Sequence, residues 1–134
     1  MKKAFRILAL SLVLVTLVAA LASCGGPAAD PDDALAALKE NDYLAAEDSV
    51  VIPTALRVAG VKGIDTVVSG TAVIDDKTEH ITIIYFDDKD AANDAWDKVK
   101  EYAEDNKKDD SDWSIKKSGA MIYWGTSAAI KAAK

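Results

Sequence analysis

Apolar and polar residues alternate most clearly between Ile64 and Phe86. The stretches "IDTVVSGTAVI" and "HITIIYF" are rich in β-branched and aromatic residues and flank the polar "DDKTE", a pattern that predicts a β-hairpin. The period then changes. In "DDKDAANDAWDKVKEYAEDNKK", residues Ala92, Ala95, Trp96, Val99, Tyr102 and Ala103 recur at helical spacing, with acids and lysines opposite, which predicts a long amphipathic helix. "DWSIKKSGAMIYWG" reads as two short strands turning at Ser118 and Gly119, and "TSAAIKAAK" as a closing helix. Ahead of the hairpin, Asp30 and Pro31 make an N-cap and first-turn pair, with Asp32 and Asp33 at the positive end of the helix they start. "DYLAAEDS" predicts a short extended piece, and "IPTALRVAG" a short helix beginning near Pro53 and ended by Gly60.

The segments "IIYFDDKDAANDA" and "MIYWGTSAAIKAA" both run from a strand end, through a cap, into an alanine-rich helix. The second half therefore reads as tandem ββα units. The expected class is α+β: a mainly antiparallel sheet with helices on one face, in a ferredoxin-like or related split sandwich. Alternation assigns Val68, Ala72, Ile74, Ile81, Ile83, Tyr85, Trp113, Ile115, Ile122 and Trp124 to the face that meets the helices. The opposite face receives Ser69, Thr71, His80, Thr82, Ser114, Lys116, Met121 and Tyr123. Ile84 and Phe86 interrupt its polarity, so either the first helices cover that end or an apolar patch stays open for a partner.

The N-terminal end follows a different rule. "MKKAFR" is basic, and Ile7 to Ala22 is apolar without a charge. At about 1.5 Å per residue this run makes a helix of roughly 24 Å, short of the roughly 30 Å hydrocarbon core of a bilayer and of signal-peptide length. An ordinary secretory signal or a membrane helix would share those features, but neither needs a cysteine at its end. The run ends in "LASC", and Cys24 is the only cysteine. Leu21, Ala22, Ser23 and Cys24 resemble the lipobox of bacterial membrane lipoproteins. The resemblance implies signal-peptidase recognition at Leu21, Ala22 and Ser23, cleavage before Cys24, and lipidation of the Cys24 thiol. The two acyl chains of a diacylglyceryl group on that thiol satisfy the two-signal requirement for stable membrane anchoring. The expected organisation is a signal peptide at 1–23, the lipidated cysteine and a tether at 24–30, and a single α+β domain at 31–134. "AWDKVKEYA" and "MIYWGT" also resemble segments of small bacterial lipoproteins of uncharacterised function, a likeness that carries no activity with it.

Charge and chemistry narrow the function classes. Lys2, Lys3 and Arg6 precede Cys24, whereas all 22 acids follow it, so the domain is more acidic than the whole-chain charge of −6. Such a surface repels phosphate backbones, and nucleic acid is not an expected partner. One cysteine and one histidine exclude an internal disulfide and a thiolate–imidazole zinc cage. Asp75 and Asp76, the cluster Asp87, Asp88, Asp90 and Asp94, and Asp109, Asp110 and Asp112 raise the idea of a calcium site, but "DDSDWSIKKSG" lacks the turn glycine and closing glutamate of an EF-hand. Asp87 or Asp88 is better placed as the cap of the long helix, and Gly125-Thr126 as the cap of the last. No metal and no cofactor is expected.

His80 is the one acid/base candidate near neutral pH, with Ser69, Thr71 and Thr82 on its face, but no nucleophile motif surrounds it. The expectation is therefore a lipid-anchored, non-enzymatic binding or accessory module on the extracytoplasmic side of a cell membrane. Its partner would be an envelope protein or a small ligand, met by a candidate face of Ser69, Thr71, His80, Thr82, Lys116 and Tyr123. The alternatives are a small envelope hydrolase using His80, or an inhibitor presenting "DDKTE" or "EDNKKDDSD" to an extracellular enzyme.

Overall fold

The computed structural model describes residues 26–107 and 112–134. Cys24, the lipobox and signal-peptide residues before it, and 108–111 within "EDNKKDDSD" lie outside the described residues. The described residues form, in chain order, α1 (Pro31–Glu40), β1 (Leu44–Glu47), α2 (Val51–Val58), β2 (Ile64–Ile74), β3 (Lys77–Phe86), α3 (Lys89–Asp105), β4 (Ser114–Ser118), β5 (Met121–Gly125) and α4 (Ser127–Ala132). Local chemistry explains their ends. The Asp30 carboxylate accepts from the Asp32 amide at 2.8 Å, with Pro31 opening α1. Asp88 does the same for α3, accepting from the Ala91 amide at 2.8 Å. Gly60, at φ +95°, closes α2 as the Val61 amide returns to the Leu56 carbonyl. That helix starts at Val51, earlier than Pro53, because the Asp48 carboxylate reaches forward to its first amides.

The strands form one antiparallel sheet in the order β1-β2-β3-β5-β4. This is the expected α+β class with an antiparallel sheet, and the order ββα–ββα is present. Three finer expectations are corrected. First, β1 and β2 pair directly although a helix joins them, so no third strand splits them as a ferredoxin-like arrangement requires. Second, "DDKTE" is not a linker: Asp75 and Asp76 alone make the turn, at φ 52° and 62°, and Lys77, Thr78 and Glu79 belong to β3. Third, helices cover both faces. On one, α1 and α4 pack through Ala34, Leu38, Ala129 and Ala133 onto Val68, Ile81, Ile83, Tyr85, Met121 and Tyr123. On the other, α2 and α3 pack through Leu56, Ala92, Ala95, Val99 and Ala103 onto Val67, Ile84, Phe86, Ile122 and Trp124. Each fully buried Leu or Ile in these layers contributes about 1.5–3 kcal/mol by leaving water.

The face assignment of β2 and β3 holds, except that Ile74 at the hairpin tip is exposed. That of β4 and β5 is inverted. The register pairs Thr82 with Trp124 and Ile84 with Ile122, which puts Ile122 and Trp124 among the "interrupting" residues, and Tyr123 with Ile83. The reason is that β5 is buried on both sides along its whole length, so alternation could not phase it. Gly125 is where the two ββα units part. Its backbone sits against β3 so closely that a Cβ there would collide with the His80 carbonyl oxygen and lie 2.8 Å from the Ile81 Cα, and after it the chain passes to the α1 side. Thr126 stands at the cap position of α4, but its hydroxyl accepts from the His80 amide at 3.3 Å instead of capping the helix.

Residues 26–30, expected as part of a tether, lie on the fold. Gly26 and Pro27 are buried, the Ala28 amide donates to the Ala133 carbonyl at 2.9 Å, and the Tyr85 hydroxyl donates to the Ala28 carbonyl at 2.7 Å. Burial, and Asp30 and Asp33 after it, push the Tyr85 phenol far above its ordinary value, so that proton stays in place as a donor. A Cβ at Gly26 would strike the Tyr123 ring; only glycine permits this approach. Among the described residues no helix is long and apolar enough to cross a membrane.

Candidate functional site

Helices α2 and α3 cover the Ile84, Phe86 and Ile122 portion of their face and leave the rest of it open. What remains is a groove of about 810 Å³. Its floor is polar: Ser69 and Thr71 of β2 stand beside Thr82 and His80 of β3, as register partners. Along one side run β1, from Leu44 to Asp48, and Ile52 of α2. The other side is aromatic, built from Tyr102 and Asn106 at the end of α3, Trp113 before β4, and Trp124 of β5. Tyr102 meets Trp124 edge to face at 6.2 Å between centroids, a favoured geometry that stiffens the wall. The Lys107 ammonium sits 5.2 Å from the centre of the Trp113 ring.

Four of the six residues expected on a binding face, Ser69, Thr71, His80 and Thr82, therefore gather in one groove. The other two do not. Tyr123, expected to be exposed, is 2 % exposed beneath the α1/α4 layer, where burial raises its phenol above the ordinary value. Lys116 is exposed on the edge strand β4, in register with Tyr123, and so belongs to that opposite face. The groove gains instead Trp113 and Trp124, which alternation had assigned to the other face, and Tyr102, read as part of the α3 stripe. Their sequence signal was ambiguous, because a helix stripe and a strand alternation both place aromatics without saying where the covering layer stops.

Two side chains that line this groove each carry a buried polar atom with no hydrogen-bond partner among the described residues: Ser69 Oγ and Trp113 Nε1. Such a group costs about 1–3 kcal/mol until something satisfies it. Catalytic geometry does not develop around them. A serine nucleophile needs its hydroxyl hydrogen-bonded to a base, which Ser69 lacks. The Thr71 hydroxyl is committed to the Glu79 carbonyl at 3.2 Å, and the half-buried His80 faces an open groove rather than a water-excluding cleft. In "DDKTE", Asp75 and Asp76 form the hairpin turn and the other three residues are strand.

Asp48 is the rim acid with a defined task. Burial by itself would raise its carboxyl, but the amides of Ile52, Val50 and Val51, at 2.9, 3.0 and 2.8 Å, outweigh that and hold it below its ordinary value. A separate charged cluster lies beyond the floor, where Lys77 bridges Asp112 at 3.3 Å and Glu79 at 3.7 Å. Asp112 first, and Glu79 after it, hold the Lys77 ammonium above its usual value. Among the described residues no group of three or more His, Cys, Asp or Glu side chains could hold a metal ion. Comparison with protein-family models, with curated proteins and with solved structures finds no match to this chain.

Proposed function

We propose that this protein is a lipid-anchored module of the bacterial cell envelope, held on the extracytoplasmic side of the membrane through Cys24, which binds a small ligand in the groove between β1 and α3. The observation that carries the binding part is the pair of unpartnered buried atoms, Ser69 Oγ and Trp113 Nε1, on side chains that line an open groove with an aromatic wall. A ligand that satisfies them recovers a desolvation cost the free protein bears. The anchoring part rests on the lipobox resemblance of Leu21, Ala22, Ser23 and Cys24. The two parts are compatible in space. Gly26, the first described residue, lies against Tyr123 on the sheet face opposite the groove.

Two measurements test the reading. Mass spectrometry of the native protein should find an N-terminal Cys24 carrying a diacylglyceryl group, and Cys24→Ser should lose that mass and keep its uncleaved leader; an unmodified thiol refutes the anchor. A low-molecular-mass envelope extract should shift the tryptophan emission of the full chain, and Ser69→Ala, which leaves all three tryptophans in place, should weaken the shift. An extract that leaves the emission unmoved refutes the binding module.

A further inference from the structure

We infer that the groove is a site for a neutral saccharide, an inference that rests on the binding reading above and adds the chemistry of the ligand. Three properties of the groove converge on that class. The floor is lined by the polar side chains Ser69, Thr71, His80 and Thr82, residue types that hydrogen-bond alcohols. The wall of Tyr102, Trp113 and Trp124 is aromatic, and the C–H face of a pyranose packs on such rings while its hydroxyls stay free to bond. The unpartnered atoms complete the match: Trp113 Nε1 can only donate and Ser69 Oγ can both donate and accept, and a sugar carries acceptors and donors on neighbouring carbons.

Charge excludes the nearest competitors. Among the described residues no lysine or arginine lines the groove, Glu47 and Asp48 stand on its rim, and the Lys107 ammonium beside it lies over the Trp113 ring, so a phosphate, sulfate or uronate meets no cation on the floor and two carboxylates at the entrance. An ammonium ligand would suit the acids and the rings. Asp48, however, is committed to the α2 amides, and a cation without acceptors would leave Trp113 Nε1 unpartnered. A volume of about 810 Å³ is at the upper end of ordinary ligand sites and holds more than one sugar ring. The sugar could come from a soluble oligosaccharide or from a glycan polymer of the envelope.

The test uses the full chain in a polyoxyethylene detergent, which carries neither sugar nor ammonium. Maltotriose, cellotriose and tri-N-acetylchitotriose are titrated against tryptophan emission, with sulfated dextran and tetramethylammonium as charged controls; co-sedimentation with an insoluble chitin-type glycan separates the polymer from the soluble source. At least one neutral saccharide should give a saturable shift. Ser69→Ala should weaken it about 3- to 10-fold, the effect of one hydrogen bond. Trp113→Phe, which keeps an aromatic ring and removes both the donor and one reporter, should weaken the affinity measured by calorimetry by a similar factor, with unchanged circular dichroism melts showing that both variants fold. The inference is overturned if no neutral saccharide binds, or if both variants bind as the parent does. A shift with envelope extract but with none of the saccharides overturns the saccharide alone; the absence of both overturns the binding reading as well.

Discussion

Asp48 links one side chain to the position of the groove wall, and its removal has a calculable effect. The eight-residue helix α2 has no side-chain cap from Val50 at its N-cap position, and the Asp48 carboxylate accepts from three of its first amides at 2.8–3.0 Å. Replacing a capping residue by alanine costs about 0.5–2 kcal/mol. Three donors on one charged acceptor place Asp48→Ala at the top of that range, about 2 kcal/mol at pH 7. Asp48→Asn should cost roughly half as much, about 1 kcal/mol. Its amide oxygen can replace Oδ1, which serves Val50 and Val51, but its NH₂ then opposes the Ile52 amide that Oδ2 accepts.

The pH dependence follows from the sign of the shift. The folded-state pKa of Asp48 lies below its ordinary value, so its contribution is present above the unfolded carboxylate value near 4 and is lost as pH falls through the folded value. Urea denaturation at pH 7 and at pH 2.5 measures both effects through the midpoint at constant slope. The gap between parent and Asp48→Ala should narrow at the lower pH toward that of the asparagine variant. A gap below about 0.3 kcal/mol at pH 7, or one that does not change with pH, refutes the capping assignment.

Two more substitutions test the parts of the fold that frame the groove and the N-terminal segment. Gly125→Ala forces a Cβ onto the β3 backbone, with the Ile81 Cα 2.8 Å away; it should cost about 3 kcal/mol and lower the melting temperature by roughly 10 °C or more, and a loss under about 0.5 kcal/mol would show that β3 and β5 can separate freely. Tyr85→Phe removes the 2.7 Å bond to the Ala28 carbonyl and should cost about 1 kcal/mol. Hydrogen exchange at the Ala28 amide, bonded to Ala133, should accelerate in that variant, and unchanged exchange would mean that the tyrosine does not hold residues 26–30.

Much of the secondary structure was legible because its signals are local. The Asp30–Pro31 start, the alternation of β2 and β3, and the stripe Ala92, Ala95, Val99 and Ala103 each depend on residues within one or two turns of chain. The candidate face was legible in part for the same reason: Ser69, Thr71, His80 and Thr82 lie in one hairpin, whose register a two-residue turn sets. The segment at 26–30 misled because its small residues suggest a chain with nothing to bury. In the structure the same smallness lets Gly26 fit under Tyr123.

By itself, then, the sequence determined the α+β class, the elements and most of their ends, since capping, periodicity and turn preference act over a few residues. Only the tertiary structure decided how the second hairpin is phased against the first, because β5 is apolar on both sides and alternation is silent there. It also decided which helix covers which face and where that cover stops. The groove exists because α2 and α3 end short of Ser69 and His80, and its aromatic wall because Trp113 and Trp124 turn to that side. Those outcomes come from long-range packing between segments that no local pattern relates.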